Sequence, residues 1–215
     1  IVNTYDSFGR VKQKDFYDAN NKKGHSLFYT LDDKGRVLKE EDSRGRCMEF
    51  LYDLSGNKTY AKGPGKDEET HFTYDKANRL VSKKEKTSNG QFLETKYSYD
   101  YLGNLSSVTD PSGNSTNFKY NRFGQIISET RPSINTEKGF VNSTLYFSYD
   151  IFGNCIKKVD ARGNTHSTQF NVRGKPISIS YPDGSSERFV YNKEGTLKKH
   201  ILQNGSYKIH YYDGF

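Results

Sequence analysis

The sequence predicts an all-β protein, an array of antiparallel β-hairpins in one continuous, twisted and curved sheet. Three observations predict it. A short motif recurs from end to end at a base period of 21 residues, aromatic residues lead into it in pairs two apart, and strong turn residues punctuate each period twice.

The motif is an aromatic residue or Leu, then Asp or Asn, two variable residues, Gly or Asn, and a polar residue. Its copies are Tyr5-Asp6-Ser7-Phe8-Gly9, Leu31-Asp32-Asp33-Lys34-Gly35, Tyr52-Asp53-Leu54-Ser55-Gly56, Tyr74-Asp75-Lys76-Ala77-Asn78 and Tyr99-Asp100-Tyr101-Leu102-Gly103. They continue as Tyr120-Asn121-Arg122-Phe123-Gly124, Tyr149-Asp150-Ile151-Phe152-Gly153, Phe170-Asn171-Val172-Arg173-Gly174 and Tyr191-Asn192-Lys193-Glu194-Gly195. Tyr212-Asp213-Gly214-Phe215 is a tenth copy cut short. First residues at 5, 31, 52, 74, 99, 120, 149, 170, 191 and 212 give steps of 26, 21, 22, 25, 21, 29, 21, 21 and 21. Residues 1–215 therefore read as a single array of nine repeats and a truncated tenth. The chain opens and closes inside repeats and reads as a fragment of a longer protein.

Each element of the repeat has a local reason. Phe50 precedes Tyr52 by two, as Phe72 precedes Tyr74, Tyr97 precedes Tyr99, Phe118 precedes Tyr120, Phe147 precedes Tyr149 and Phe189 precedes Tyr191. Alternate side chains of a strand share one face, so each pair points the same way. The motif itself is a turn, because Asp or Asn bonds to backbone two residues on and Gly supplies positive φ without steric cost. Asn78 fits the same slot, Asn being the next most tolerant residue there.

An outgoing strand such as Gln125-Ile126-Ile127-Ser128-Glu129 follows. A second turn then returns the chain at Asp42-Ser43-Arg44-Gly45, Asp110-Pro111-Ser112-Gly113, Asp160-Ala161-Arg162-Gly163, Pro182-Asp183-Gly184 or Asn204-Gly205. The steps of 25, 26 and 29 assign their extra residues to expanded second turns at Ser88-Asn89-Gly90, Asp18 to Gly24 and Arg131 to Gly139. Equivalent slots line up between repeats, so the aromatics are expected to form ladders.

Composition bears on how such a sheet is held. Hydrophobic residues are 32% of the chain, aromatics 14%, and mean hydropathy is −0.94. A sandwich or small barrel needs an apolar residue at nearly every other strand position. Strands such as Lys83-Lys84-Glu85-Lys86 do not supply that. A hollow wall wetted on both sides, with aromatic stripes and continuous pairing, accommodates them. The formal charge of +7 is spread over nearly every repeat, which reads as solvated strand faces. No apolar run is long enough to span a bilayer as a helix.

Cys47 and Cys155 lack partners at metal-site spacing, and Cys155 takes an apolar slot shared with Val11, Leu80 and Ile126, as a small core residue would. The five His residues occupy unrelated slots, and the motif carboxylates recur as turn residues, so no catalytic, cofactor or metal site is expected.

The repeated Tyr-Asp-x-x-Gly, the apolar residue two after Gly, the Asp-x-x-Gly turn and the closing aromatic-x-Tyr resemble the YD repeats of the RHS family. The likeness covers essentially the whole chain, and its best copy runs from Tyr99 to Gly113. The resemblance implies a β-ribbon wound into a hollow shell, as in insecticidal toxin complexes, bacterial polymorphic toxins and teneurin cell-surface proteins. It implies a secreted or cell-surface setting. Its implied partners are further RHS repeats and a C-terminal toxin or effector cargo, which bacterial members enclose and cut free inside the shell. The family's processing element, Asp-Pro-x-Gly-Leu, is not matched by Asp110-Pro111-Ser112-Gly113, which reads as an ordinary turn. The leading expectation is thus a non-enzymatic segment of a cargo-enclosing shell. The alternative is a carbohydrate-binding or adhesive module for acidic glycans, and specific nucleic-acid binding is not expected.

Overall fold

The computed structural model describes residues 1–136 and 139–212, and of residues 134–136 and 139–142 only the backbone. Glu137, Lys138 and, in the truncated tenth copy, Asp213, Gly214 and Phe215 lie outside the described residues. Nineteen strands and no helix occur among the described residues. By internal contacts the chain divides into one unit of residues 1–98 and 109–113 and another of 99–108 and 114–215.

The first unit carries β1 (Val2–Tyr5), β2 (Val11–Tyr17), β3 (Lys23–Leu31), β4 (Val37–Asp42), β5 (Cys47–Tyr52), β6 (Lys58–Lys62), β7 (Glu69–Tyr74), β8 (Leu80–Lys86) and β9 (Phe92–Tyr99). Each pairs antiparallel with the next in sequence. After β10 (Leu105–Thr109), the second unit carries β11 (Ser115–Tyr120), β12 (Ile126–Thr136), β13 (Gly139–Tyr149), β14 (Cys155–Val159), β15 (Thr165–Phe170), β16 (Pro176–Ser180), β17 (Ser186–Tyr191), β18 (Leu197–Ile201) and β19 (Tyr207–Ile209). These nine also pair antiparallel in sequence order. The protein is all-β and built of consecutive hairpins.

The longer repeats place their extra residues differently from the expectation. An unextended repeat has strands like β14 and β15, of 5 and 6 residues. In the repeat with a step of 26, β2 and β3 hold 7 and 9, and in that of 25, β8 and β9 hold 7 and 8. In that of 29, β12 and β13 hold 11 each, with a register shift between Arg131 and Ile134. The insertions extend the hairpins and do not enlarge loops. Added residues are paired with one another, which satisfies their backbone groups without a long solvated loop.

A β-bulge recurs beside the motif aromatic. Lys119 faces Ser128 but Tyr120 faces Ile126, which leaves Ile127 as the extra residue. Lys12, Leu38, Thr59, Val81, Ile156, Ile177 and Lys198 occupy the same place in other copies. The second-turn hairpins β4–β5, β6–β7, β8–β9, β14–β15, β16–β17 and β18–β19 show no such shift, and the shift in β12–β13 falls inside its extended strands. A bulge bends its strand and increases local twist. These eight copies therefore share a bend at one fixed position.

Among the described residues no hydrophobic side chain is buried. Phe50 and Tyr52 are half-buried while Leu51 between them is exposed, and the alternation repeats at Phe118, Lys119 and Tyr120. Cys155 is half-buried, so it does not sit in a core as its apolar slot suggested. The most enclosed residues are polar: Ser26, Asp15 and Ser128. Asp15 accepts hydrogen bonds from Ser26 Oγ at 2.6 Å and Gln13 Nε2 at 2.8 Å, and Lys23 Nζ lies 2.8 Å away. Lys23 foremost, then Ser26 and Gln13, hold the Asp15 carboxyl down to about 2.

Among the ring pairs of the described residues, none joins two Phe or Tyr rings as a stacked ladder would. The described ring pairs each include a histidine, such as Phe16 with His25 at 4.2 Å and Phe189 with His200 at 4.4 Å. Other rings face a cation: Arg36 over Tyr52 at 4.8 Å, Lys58 over Phe50 at 4.1 Å, Lys199 over Tyr207 at 4.0 Å. The basic strands that a core would exclude thus supply partners to the aromatic stripe.

Candidate functional site

The motif turn is the unit that recurs, and its geometry is one arrangement used repeatedly. In the copy at Asp100, the Asp100 N–H donates to Asn104 O at 2.8 Å and Gly103 N–H to Asp100 O at 3.1 Å. This is the three-residue hairpin loop, a type I turn followed by a residue of positive φ. Gly103 has φ 91° and Gly124 has φ 75°, where a β-carbon would be strained. Asn78 takes φ 60° in the copy without Gly.

The motif Asp closes that loop with its side chain. Asp100 Oδ1 accepts from the N–H groups of Leu102 and Asn104, and Oδ2 from Asn104 Nδ2, all at 2.9 Å. Asp150 repeats this with Phe152 and Asn154. At Asp6, Asp32 and Asp75 an arginine guanidinium, from Arg10, Arg36 and Arg79, replaces the amide. Asn121, Asn171 and Asn192 accept the same backbone donor through Oδ1. These bonds favour the charged carboxylate. The Asn104 amide lowers the Asp100 carboxyl, the Asn154 amide that of Asp150 and the Asn57 amide that of Asp53. At Asp6 and Asp75 the backbone N–H of the arginine four residues on does so first.

Two further contacts join one repeat to the next. The motif Tyr hydroxyl donates to the carbonyl two residues past the Gly of the preceding copy: Tyr52 to Val37, Tyr74 to Lys58, Tyr120 to Leu105, Tyr149 to Ile126 and Tyr191 to Pro176, at 2.8–3.0 Å. Tyr212 does the same to Leu197 at 3.0 Å. Burial raises the phenols of Tyr74, Tyr120, Tyr149 and Tyr191, which keeps them protonated as donors. The residue after the Gly reaches forward. Arg10 Nη1 donates to Asp32 O at 2.9 Å, Arg36 Nη1 to Asp53 O at 3.0 Å, Asn57 Nδ2 to Asn78 Oδ1 at 2.8 Å, and Gln125 Nε2 to Gly153 O at 3.3 Å. Lys175 Nζ donates to Gly195 O. Phe170, without a hydroxyl, and Leu31 fill the aromatic slot with no donor.

The structure places Tyr5, Asp6, Gly9, Gly35, Tyr52, Asp53, Gly56, Tyr74, Asp75, Tyr99, Asp100, Gly103, Tyr120, Asn121, Gly124, Tyr149, Asp150, Gly153, Phe170, Asn171, Gly174, Tyr191, Asn192 and Gly195 at separate turns, one set for each copy. They are not gathered into one centre. One further copy was missed, Tyr17-Asp18-Ala19-Asn20-Asn21, whose Asp18 Oδ1 accepts from Asn20 and Lys22 and whose Asn21 has φ 60°. A bulge stands beside its Tyr17, as beside the other motif aromatics. The signal was present: Asn21 stands for Gly as Asn78 does. Asp42 and Asp160 in second turns close their loops as the motif Asp does. The motif turn differs from them by its aromatic residue and bulge. At Asp110, Gly113 N–H donates to Asp110 O and Ser112 N–H to Asp110 Oδ1, the same loop chemistry. Among the described residues no three His, Cys, Asp or Glu side chains gather as metal ligands, and no helix is long and apolar enough to cross a membrane.

An antiparallel repeat held hairpin to hairpin, with polar clasps in place of a core, is a wall-forming structural β-repeat. The chain belongs to the teneurin YD-shell family, whose model matches residues 3–214. Solved structures similar to it include TcdB2–TccC3 without its hypervariable C-terminal region, 16% identical with a TM-score of 0.49, over 93% of this chain and 14% of that one. Another is the Tc holotoxin pore of Photorhabdus luminescens with a mutant TccC3, 15% identical with a TM-score of 0.43, over 91% of this chain and 15% of that one. The chain spans about one seventh of the length of each. Comparison with curated proteins finds no match.

Proposed function

We propose that residues 1–215 are one stretch of a non-enzymatic wall that encloses a C-terminal toxin or effector polypeptide of a longer, secreted or cell-surface parent. The observation that carries this reading is the combination of repeat-to-repeat clasps with no buried hydrophobic side chain among the described residues. A sheet stabilised within its own plane has both faces free for water or for an unfolded chain. Membership of the YD-shell family supports the same reading. Binding of acidic glycans, the competing role, needs open aromatic faces. Rings such as Tyr52, Phe50 and Tyr207 already carry a cation of the same chain.

The test is limited proteolysis of the full-length parent. The C-terminal segment is expected to survive while the wall is intact and to be cut once Tyr120→Phe and Tyr149→Phe loosen it. Digestion at the rate of the isolated segment, together with saturable heparin binding at physiological salt, would replace this reading with the glycan one.

A further inference from the structure

The two variable residues of the motif sit at the outermost point of each turn, and in the second unit the first four turns each carry at least one apolar residue there, while the fifth carries Lys193-Glu194. Tyr101, Ile151 and Val172 are 95%, 93% and 95% exposed, and Phe123 and Phe152 are 71% and 76% exposed. These belong to four successive motif turns. Tyr120 OH on Leu105 O joins the first to the second, and Gln125 Nε2 on Gly153 O the second to the third. The fourth lies against the third, because a β-carbon on Gly174 would stand 3.4 Å from Asn154 Oδ1. The second turns of the same unit end in Ala161-Arg162, Pro182-Asp183 and Gln203-Asn204. Over those four turns the motif edge is mostly apolar, with Arg122 and Arg173 among its tips, whereas these second turns are mostly polar. Neither strand pairing nor the clasps explain this, since the side chains of Tyr101, Phe123, Ile151, Phe152 and Val172 take no part in either.

The apolar edge has relief as well as composition. Turns recur every second strand, so tips stand about 10 Å apart. Between the second and third turns lies a groove of about 370 Å³, where Phe123, Ile127, Phe147, Tyr149 and Ile151 line it together with the polar Asn121, Gln125, Ser148 and Asp150. A ridge of this pitch is matched by another ridge of the same pitch, and a second copy of the chain presents one. The exposed tips offer on the order of 800 Å², about the area each partner gives to a stable complex and more than the largest apolar patch of an ordinary monomer. Charge does not oppose the contact. The motif carboxylates of Asp100 and Asp150 are bonded inward to Asn104 and Asn154, Arg173 Nη1 is held by Lys193 O, and the Arg122 guanidinium lies over the Phe123 ring.

We propose that the motif edge of the second unit docks on the same edge of a second copy, two-fold and antiparallel, with tips of one seated between tips of the other. In a two-fold contact each substitution acts twice. The chain is 24.7 kDa, and sedimentation equilibrium from about 1 to 100 µM is expected to show a reversible dimer. Phe123→Ser with Phe152→Ser is expected to raise its Kd at least about tenfold, while Arg162→Ser on the opposite edge leaves it unchanged. Both phenylalanines are exposed turn residues, and far-UV circular dichroism checks that the variant folds. A monomer throughout that range overturns the proposal. So does a dimer that the double substitution does not weaken, or a monomer that binds uncharged phosphatidylcholine vesicles through the same tips.

Discussion

Tyr120→Phe isolates one repeat-to-repeat clasp. The ring keeps its half-buried place beside Phe118, and the change removes only the hydroxyl that donates to Leu105 O at 2.8 Å. One hydrogen bond of this kind contributes about 0.5–1.5 kcal/mol net. For a chain of this length 1 kcal/mol moves the thermal midpoint by about 2–4 °C. The protein supplies its own converse at Phe170, an aromatic slot without a donor. In the other copies the accepting carbonyl is two past the preceding Gly, which places that of Phe170→Tyr at Cys155 O. Phe170→Tyr is expected to gain about as much as Tyr120→Phe loses. The sites lie roughly 20 Å apart, two repeats at the usual strand spacing, so the effects should add and the double variant should return close to the parent. Urea denaturation followed by circular dichroism, with an unchanged slope, measures all three. A loss under about 0.3 kcal/mol for Tyr120→Phe, with no gain for Phe170→Tyr, refutes the clasp as a stabilising contact.

Gly124 at φ 75° and Arg122 at the adjacent tip separate backbone conformation from side-chain contact. Gly124→Val should destabilise by about 1–3 kcal/mol and Arg122→Val by less, through its contact with Phe123 alone; equal unfolding midpoints would contradict the positive-φ requirement. Acid should weaken the turns. The motif carboxyls, and Asp15 in β2, titrate lower in the folded chain than in the unfolded one, so their stabilisation is complete above about pH 3.9 and is lost as pH falls through the folded values, about 2 in the case of Asp15. The raised tyrosines act in the opposite direction, their contribution being complete below about pH 10 and lost as pH rises through the folded values. Asp100→Asn, an exchange the chain already carries at Asn121, should keep the turn and flatten part of the acid limb in urea midpoints taken from pH 2 to 7.

The parts of this fold legible in the sequence are those fixed within five residues. An Asp that bonds its own loop and a residue that tolerates positive φ are chemical requirements, and they mark each turn whatever surrounds it. What stayed hidden depends on partners further off. The bulge residue is Lys12 in one copy, Thr59 in another and Ile127 in a third, so no residue type announces it. Paired strand extensions in β2 and β3 or β12 and β13 look in sequence like loop insertions, because pairing across a turn is not written in either strand alone. Rings expected to line up with one another meet His25, His200 and Lys58 instead, which only the register reveals. The copy at Tyr17 needed only the exchange of Asn for Gly that Asn78 had already shown.

The central claim is a sheet held in its plane without a hydrophobic core, and the heat capacity of unfolding tests it most directly. The folded chain exposes 15320 Å², against roughly 10,000 Å² for a compact protein of its mass. A globular chain of this length would show a change of about 3 kcal/mol/K on unfolding. Scanning calorimetry is expected to give about 2 kcal/mol/K or less, since less surface, and a smaller apolar share of it, is newly exposed. A value of about 3 kcal/mol/K would mean that the chain buries an ordinary core, and would contradict the wall.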